Sequence, residues 1–132
     1  MNVTPKEART LVAEALRSGK YLQIKGVLRR SDNCFCAEGV CCEVYRQITG
    51  LCEWFPPGNG FSVFHFGEGE EHTYGSILPK YVKKWLGISD VLVKNADGFV
   101  IRIALSTIND NGMSFEEIAD ILESQPGEND DN

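Results

Sequence analysis

The sequence predicts an α+β domain of four to five helices packed on short antiparallel hairpins. Three observations lead there. Two capping boxes, Thr4-Pro5-Lys6-Glu7 and Ser114-Phe115-Glu116-Glu117, open helices with reciprocal side-chain and backbone bonding. The apolar positions change along the chain from helical spacing to alternation. Asn95-Ala96-Asp97-Gly98, whose residues accept positive φ, separates two strand-like runs. The rhythm lacks strand–helix–strand units, which argues against a doubly wound sheet.

From the N-terminus, the spacing of Ala8, Leu11, Val12, Ala15 and Leu16 predicts a helix over 5–17, stopped by Ser18-Gly19. Leu22, Ile24 and Leu28 share one parity and predict a strand interrupted at Gly26, and residues 29–33 read as a polar turn. A helix over 36–49 follows, stopped by Gly50, with Gly39 inside it marking close packing against another element. Residues 55–60 read as a loop and 61–66 as a strand. Residues 67–71 turn that strand back towards 72–74, with His72 in an exposed loop setting. A short helix from Pro79 to Gly87 would bury Val82, Trp85 and Leu86 while its lysines stay solvated. The hairpin 91–94/99–103, a short helix over 104–108 and a helix from Ser114 to about Leu122 complete the domain. Asn109-Asp110-Asn111 lacks the alternating acidic ligands of a calcium loop and reads as a turn.

A chain of 132 residues supports one core, assigned to 1–124, with 125–132 as an acidic flexible tail. No apolar run reaches the ~20 residues of a membrane span, and the first residues carry no secretory apolar region. With five cysteines, an odd number, a reducing cytoplasmic setting is the expectation. The net charge of −6 argues against general nucleic-acid binding, which needs a positive surface. No glycine-rich phosphate fingerprint follows a strand, so no cofactor is expected. The acidity is concentrated after Phe66: residues 1–66 hold eight basic and six acidic side chains, and residues 67–132 hold five and thirteen. The acidic half is a candidate docking surface for a basic host protein. Lys20, Lys25, Arg29 and Arg30 are candidate ligands of a small anionic, nucleotide-like molecule.

The segment Cys34-Phe35-Cys36-Ala37-Glu38-Gly39-Val40-Cys41-Cys42 allows three roles. Structural zinc would need paired Cys-x₂₋₄-Cys knuckles, which the spacing does not supply even with Cys52, His65 and His72 at hand. Core packing suits small apolar thiols, Cys41 in particular lying on the apolar helix stripe. Catalysis would use Cys36 as a nucleophile, its thiolate favoured by the start of a helix, and His65 as general base on a later strand. This order resembles papain-like NlpC/P60 cysteine peptidases, in which an Asp-Cys-Ser-Gly turn opens a helix and the histidine follows on a strand. Here Ala37-Glu38 stand between Cys36 and the glycine, and no third orienting residue follows His65.

A wider resemblance spans nearly the whole chain. Residues 15–21 (Ala-Leu-Arg-Ser-Gly-Lys-Tyr), 35–45 (Phe-Cys-Ala-Glu-Gly-Val-Cys-Cys-Glu-Val-Tyr), 78–87 (Leu-Pro-Lys-Tyr-Val-Lys-Lys-Trp-Leu-Gly) and 108–120, which carry Asn-Asp-Asn-Gly-Met-Ser-Phe, occur in that order. In this they resemble small uncharacterised proteins encoded by bacteriophages and prophages. Those relatives show a Cys-Cys-Leu-Gly-Val-Leu-Cys segment, and this chain departs from it at Ala37 and Glu38. The resemblance implies a phage-derived accessory protein of the bacterial cytoplasm and carries over no catalytic or binding residue. By analogy, a non-enzymatic module acting on a host protein or a small anion is expected.

Overall fold

The computed structural model describes residues 3–30, 33–55, 61–66, 71–73 and 78–126, with side chains left out of the description between 55 and 77. Helix α1 (Pro5–Arg17) opens as expected: Thr4 Oγ1 accepts from the Glu7 amide at 3.1 Å and Glu7 Oε1 from the Thr4 amide at 2.8 Å. Its buried face of Ala8, Val12, Ala13 and Leu16 packs chiefly on α5 (Phe115–Ser124), and also on α2 (Ala37–Thr49) and α3 (Lys80–Leu86). The Ser114 capping box starts α5, and Phe115, Ile118, Ala119 and Leu122 form its buried stripe.

The expected strand around Leu22–Leu28 is two short strands. Gly26, at φ +81°, breaks it, so β1 (Leu22–Gln23) ends before the turn and β2 (Arg29–Arg30) forms where a polar turn was expected. Ser31 and Asp32 of that turn lie outside the described residues. The chain returns as β3 (Cys34–Phe35), which inserts between β1 and β2. β3 is antiparallel to β2 but parallel to β1, with the Leu22 amide donating to Asn33 O at 2.7 Å and the Ile24 amide to Phe35 O at 3.0 Å. One pairing is therefore parallel where only antiparallel hairpins were expected.

The sheet continues through β5 (Phe61–Phe66) to β4 (Cys52–Phe55), in the order β1-β3-β2-β5-β4, and β6 (Glu71–Thr73) also pairs with β5. β4 has no counterpart in the sequence expectations, and His72 lies in a strand, paired with His65, not in a loop. The predicted loop residues 56–60, the turn residues 67–70 and Tyr74 fall outside the described residues. A separate hairpin joins β7 (Val91–Lys94) to β8 (Val100–Ile103) and leads into α4 (Leu105–Asp110).

α2 is the central helix: every residue from Ala37 to Tyr45 is buried. A Cβ on Gly39 would come within 1.8 Å of the Leu28 carbonyl oxygen, so the glycine lets β2's approach and α2 touch backbone to backbone. The C-terminal boundary also moves. Gln125, expected in the tail, is buried, and its side-chain amide bonds both backbone groups of Leu92, at 2.8 and 3.0 Å. The tail residues 127–132 lie outside the described residues. The molecule is thus an α+β domain, with five helices and two small sheets among the described residues. Among the described residues no helix is long and apolar enough to cross a membrane.

Candidate functional site

At the junction of β2, β3 and α2 a cavity of about 400 Å³ is lined by Lys20, Tyr21, Arg29, Asn33, Phe35, Glu43 and Gln47. The pairing of Arg29 with Phe35 across β2 and β3 sets the guanidinium against the ring, 5.1 Å from its centroid, with Trp54 of β4 at 5.3 Å. Tyr21 meets Phe35 edge-on at 5.0 Å, which makes an aromatic wall.

The opposite side is polar. Glu43 Oε1 accepts from Trp54 Nε1 at 2.8 Å and Arg46 Nε at 3.0 Å, and Oε2 accepts from Arg46 Nη2 and Gln47 Nε2, each at 2.7 Å. Burial pushes the Glu43 carboxyl up, but the hydrogen bonds from Arg46, Trp54 and Gln47 outweigh it and hold the group below its ordinary value. Glu43 therefore stays ionised and fixes the amide of Gln47, while Lys20 remains exposed to solvent.

Of the four cations singled out in the sequence, only Lys20 and Arg29 line this cavity. Lys25 stands on the loop beside Gly26, whose amide donates to Asp110 Oδ1 at 3.1 Å. Arg30 pairs with Cys34 and Phe61 in register, and the strand pleat turns it to the face opposite Arg29. The cavity thus brings together two of the four.

Cys36 does sit at the start of a helix. It is the N-cap of α2, and its Sγ accepts from the Gly39 amide at 3.4 Å. Yet it is fully buried, and desolvation, reinforced by the neighbouring Glu38 charge, pushes the thiol up to about 12 against the opposing Gly39 hydrogen bond. The helix terminus does not offset the loss of water, so burial disfavours the expected thiolate. The geometry is no closer to a catalytic pair. The Cys36 amide bonds Leu28 O, β2 separates β3 from β5, and His65 lies two residues along β5 from the position opposite Leu28. Two strand spacings and two residues put the Cα atoms roughly 12 Å apart. His65 has Glu53 and His72 as its register partners instead.

Cys41 and Cys42 are sealed in the core with their thiols raised well above the ordinary value by burial, and Cys52 is pushed up to about 11 for the same reason. Among the described residues no three His, Cys, Asp or Glu side chains gather where they could hold a metal ion.

Arg9, Glu43, Glu38 and Asn109 are buried polar residues whose burial escaped the sequence reading. Glu38, in the first turn of α2, is only 5% exposed, and its Oε1 has no hydrogen-bond partner among the described residues. Burial pushes its carboxyl up to about 8; Lys83 and a hydrogen bond with Ser106 oppose the shift, and the charges of Asp110 and Asp90 add to it. Its signal was the unbroken apolar run that follows, Val40-Cys41-Cys42, which marks α2 as enclosed on more than one face.

Asn109 is fully buried and fully engaged. Its Oδ1 accepts from Gln23 Nε2 at 2.8 Å and from the Ala37 amide at 3.1 Å; its Nδ2 donates to Ile24 O at 2.8 Å and Asp110 Oδ1 at 3.1 Å. One side chain thereby joins β1, α2 and α4.

No curated protein and no solved structure matches the chain. A family described as a domain of unknown function, DUF8296, matches it over residues 4–126, from the Thr4 cap to just past Gln125. The capped α1, the enclosed α2 and the docked end of α5 all fall inside that span, and the chain belongs to this family.

Proposed function

We propose that the protein is a phage-derived, non-enzymatic binding module of the bacterial cytoplasm that takes a small anionic, nucleotide-like ligand in the Lys20–Arg29 cavity. The observation that carries this reading is the convergence of two cations, an aromatic wall and the fixed amide of Gln47 on one cavity of about 400 Å³. That volume lies within the range of small-molecule sites. Such a set would stack a planar ring on Tyr21, which the buried Phe35 backs, and meet an anionic group with Lys20. The cysteine-hydrolase alternative loses support from the buried, protonated Cys36.

Calorimetric titration with adenosine and guanosine monophosphates and with inorganic phosphate tests the proposal. Lys20→Glu should weaken binding about tenfold or more, while Lys25→Glu and Arg30→Glu leave it nearly unchanged. Equal losses in all three variants would indicate a diffuse electrostatic effect, and no binding of any of these probes would count against the ligand class.

A basic host protein would instead meet the exposed carboxylates Glu116, Glu117 and Asp120 on α5. Loss of the protein's effect on its host in Glu116→Lys, with Lys20→Glu still active, would move the role to that face.

A further inference from the structure

The β7–β8 hairpin carries three consecutive exposed apolar side chains: Phe99 is 69% exposed, Val100 64% and Ile101 37%. Natural sheets blunt open edges with lysine, proline or a covering element. Here the two edges are treated differently. On β7, the outward amide and carbonyl of Leu92 are taken by the side chain of Gln125. On β8, no described residue occupies the corresponding groups.

Which groups those are follows from the ladder. The Asn95 amide donates to Phe99 O at 2.8 Å, so Asn95/Phe99, Val93/Ile101 and Val91/Ile103 are the hydrogen-bonded pairs. Lys94/Val100 and Leu92/Arg102 are the pairs between them, whose amides and carbonyls point away from the partner strand. The free edge of β8 therefore offers one donor and one acceptor from Val100 and one of each from Arg102. The two residues stand symmetrically about Ile101.

We propose that this edge pairs with the same edge of a second copy of the chain, antiparallel, about a two-fold axis through Ile101. Symmetry makes the contact self-complementary. Val100 exchanges two backbone hydrogen bonds with Arg102 of the second copy, and Arg102 exchanges two with its Val100. On the side facing the core, Ile101 meets Ile101 of the second copy at about 4.5 Å between Cα atoms, the spacing of a non-hydrogen-bonded pair. Phe99 opposes Ile103 of the second copy, an aromatic–β-branched pair of the kind that stabilises sheets. On the outer side Arg102 faces Val100, so the register sets no two like charges directly opposite each other. The Phe99–Ile103 match and the absence of opposed like charges in this register favour a second copy over an unrelated extended peptide.

Sedimentation equilibrium of the full chain from about 1 µM to about 1 mM tests the proposal and should show a reversible dimer. Val100→Pro removes the outward amide at a place where an edge strand tolerates proline, and it should weaken association about tenfold or more. Because that variant could disturb the hairpin, Ile101→Cys supplies an independent readout: it should form an intermolecular disulfide on mild oxidation, and Lys94→Cys on β7 should not. A chain that stays monomeric throughout overturns the proposal and leaves the edge to a peptide of another protein. A dimer indifferent to Val100→Pro and not captured through Ile101→Cys overturns it as well.

Discussion

Gly39 and Glu38 are neighbours with opposite demands on the same helix turn. Any side chain at Gly39 collides with the Leu28 carbonyl, so Gly39→Ala should destabilise the fold by about 3 kcal/mol or more in urea unfolding. Its need for close packing was legible in the sequence, because a glycine inside an otherwise good helix lowers propensity without a local reason. The Glu38 environment was not legible, since nothing local tells that α4 and α3 bring Ser106 and Lys83 to it. Its folded-state value near 8 lies above the ordinary 4.5, so the native state binds this proton more tightly than the unfolded chain does. Stability is therefore fullest below 4.5 for this group and falls as pH rises through 8. The loss is on the order of a few kcal/mol, and Glu38→Gln should flatten the curve of unfolding free energy against pH across that window. The thiols give a second test at this scale. Cys34 is half-buried and the other four are buried, so native protein should label with iodoacetamide at Cys34 first and at the rest only on unfolding.

At the scale of elements, the caps were readable because each is local: Thr4 with Glu7 and Ser114 with Glu117 need only three intervening bonds of sequence to be recognised. The sheet was harder. β1, β2 and β3 are two residues each, too short for alternation to register, and the parallel β1–β3 pairing depends on how the intervening loop folds back. The same loop decides why Lys20 and Arg29 share a cavity while Lys25 and Arg30 do not. Arg9 shows how elements are joined at their ends. Its buried guanidinium donates to Leu86 O at 2.8 Å and Gln125 O at 3.3 Å, carbonyls at the C-terminal ends of α3 and α5, where the helix dipole favours a cation. Arg9→Met keeps the apolar stem but strips both carbonyls of this donor, and should lower stability by about 3 kcal/mol in chemical denaturation.

Across the whole molecule, the fold class followed from composition and punctuation, whereas the core's polar junctions did not. Asn109 read as a turn residue because its sequence neighbours are turn formers; its burial comes from β1 and α2, far away in sequence. Hydrogen exchange should reflect this division. The amides of α1 and of α2 and α5, which both pack on it, should exchange slowest, and those of β8, exposed along one edge, much faster.

The partners of Arg9 and Ala37 also constrain when the chain can fold during its own synthesis. The Ala37 amide waits 72 residues for Asn109, and the Arg9 guanidinium waits 116 for Gln125. Neither the first helix nor the central one can complete its contacts while a ribosome still holds residues 109–125. A nascent chain stalled before Gln125 would thus expose a cation made for burial and an apolar helix face together, inviting proteases and chaperones until that residue emerges.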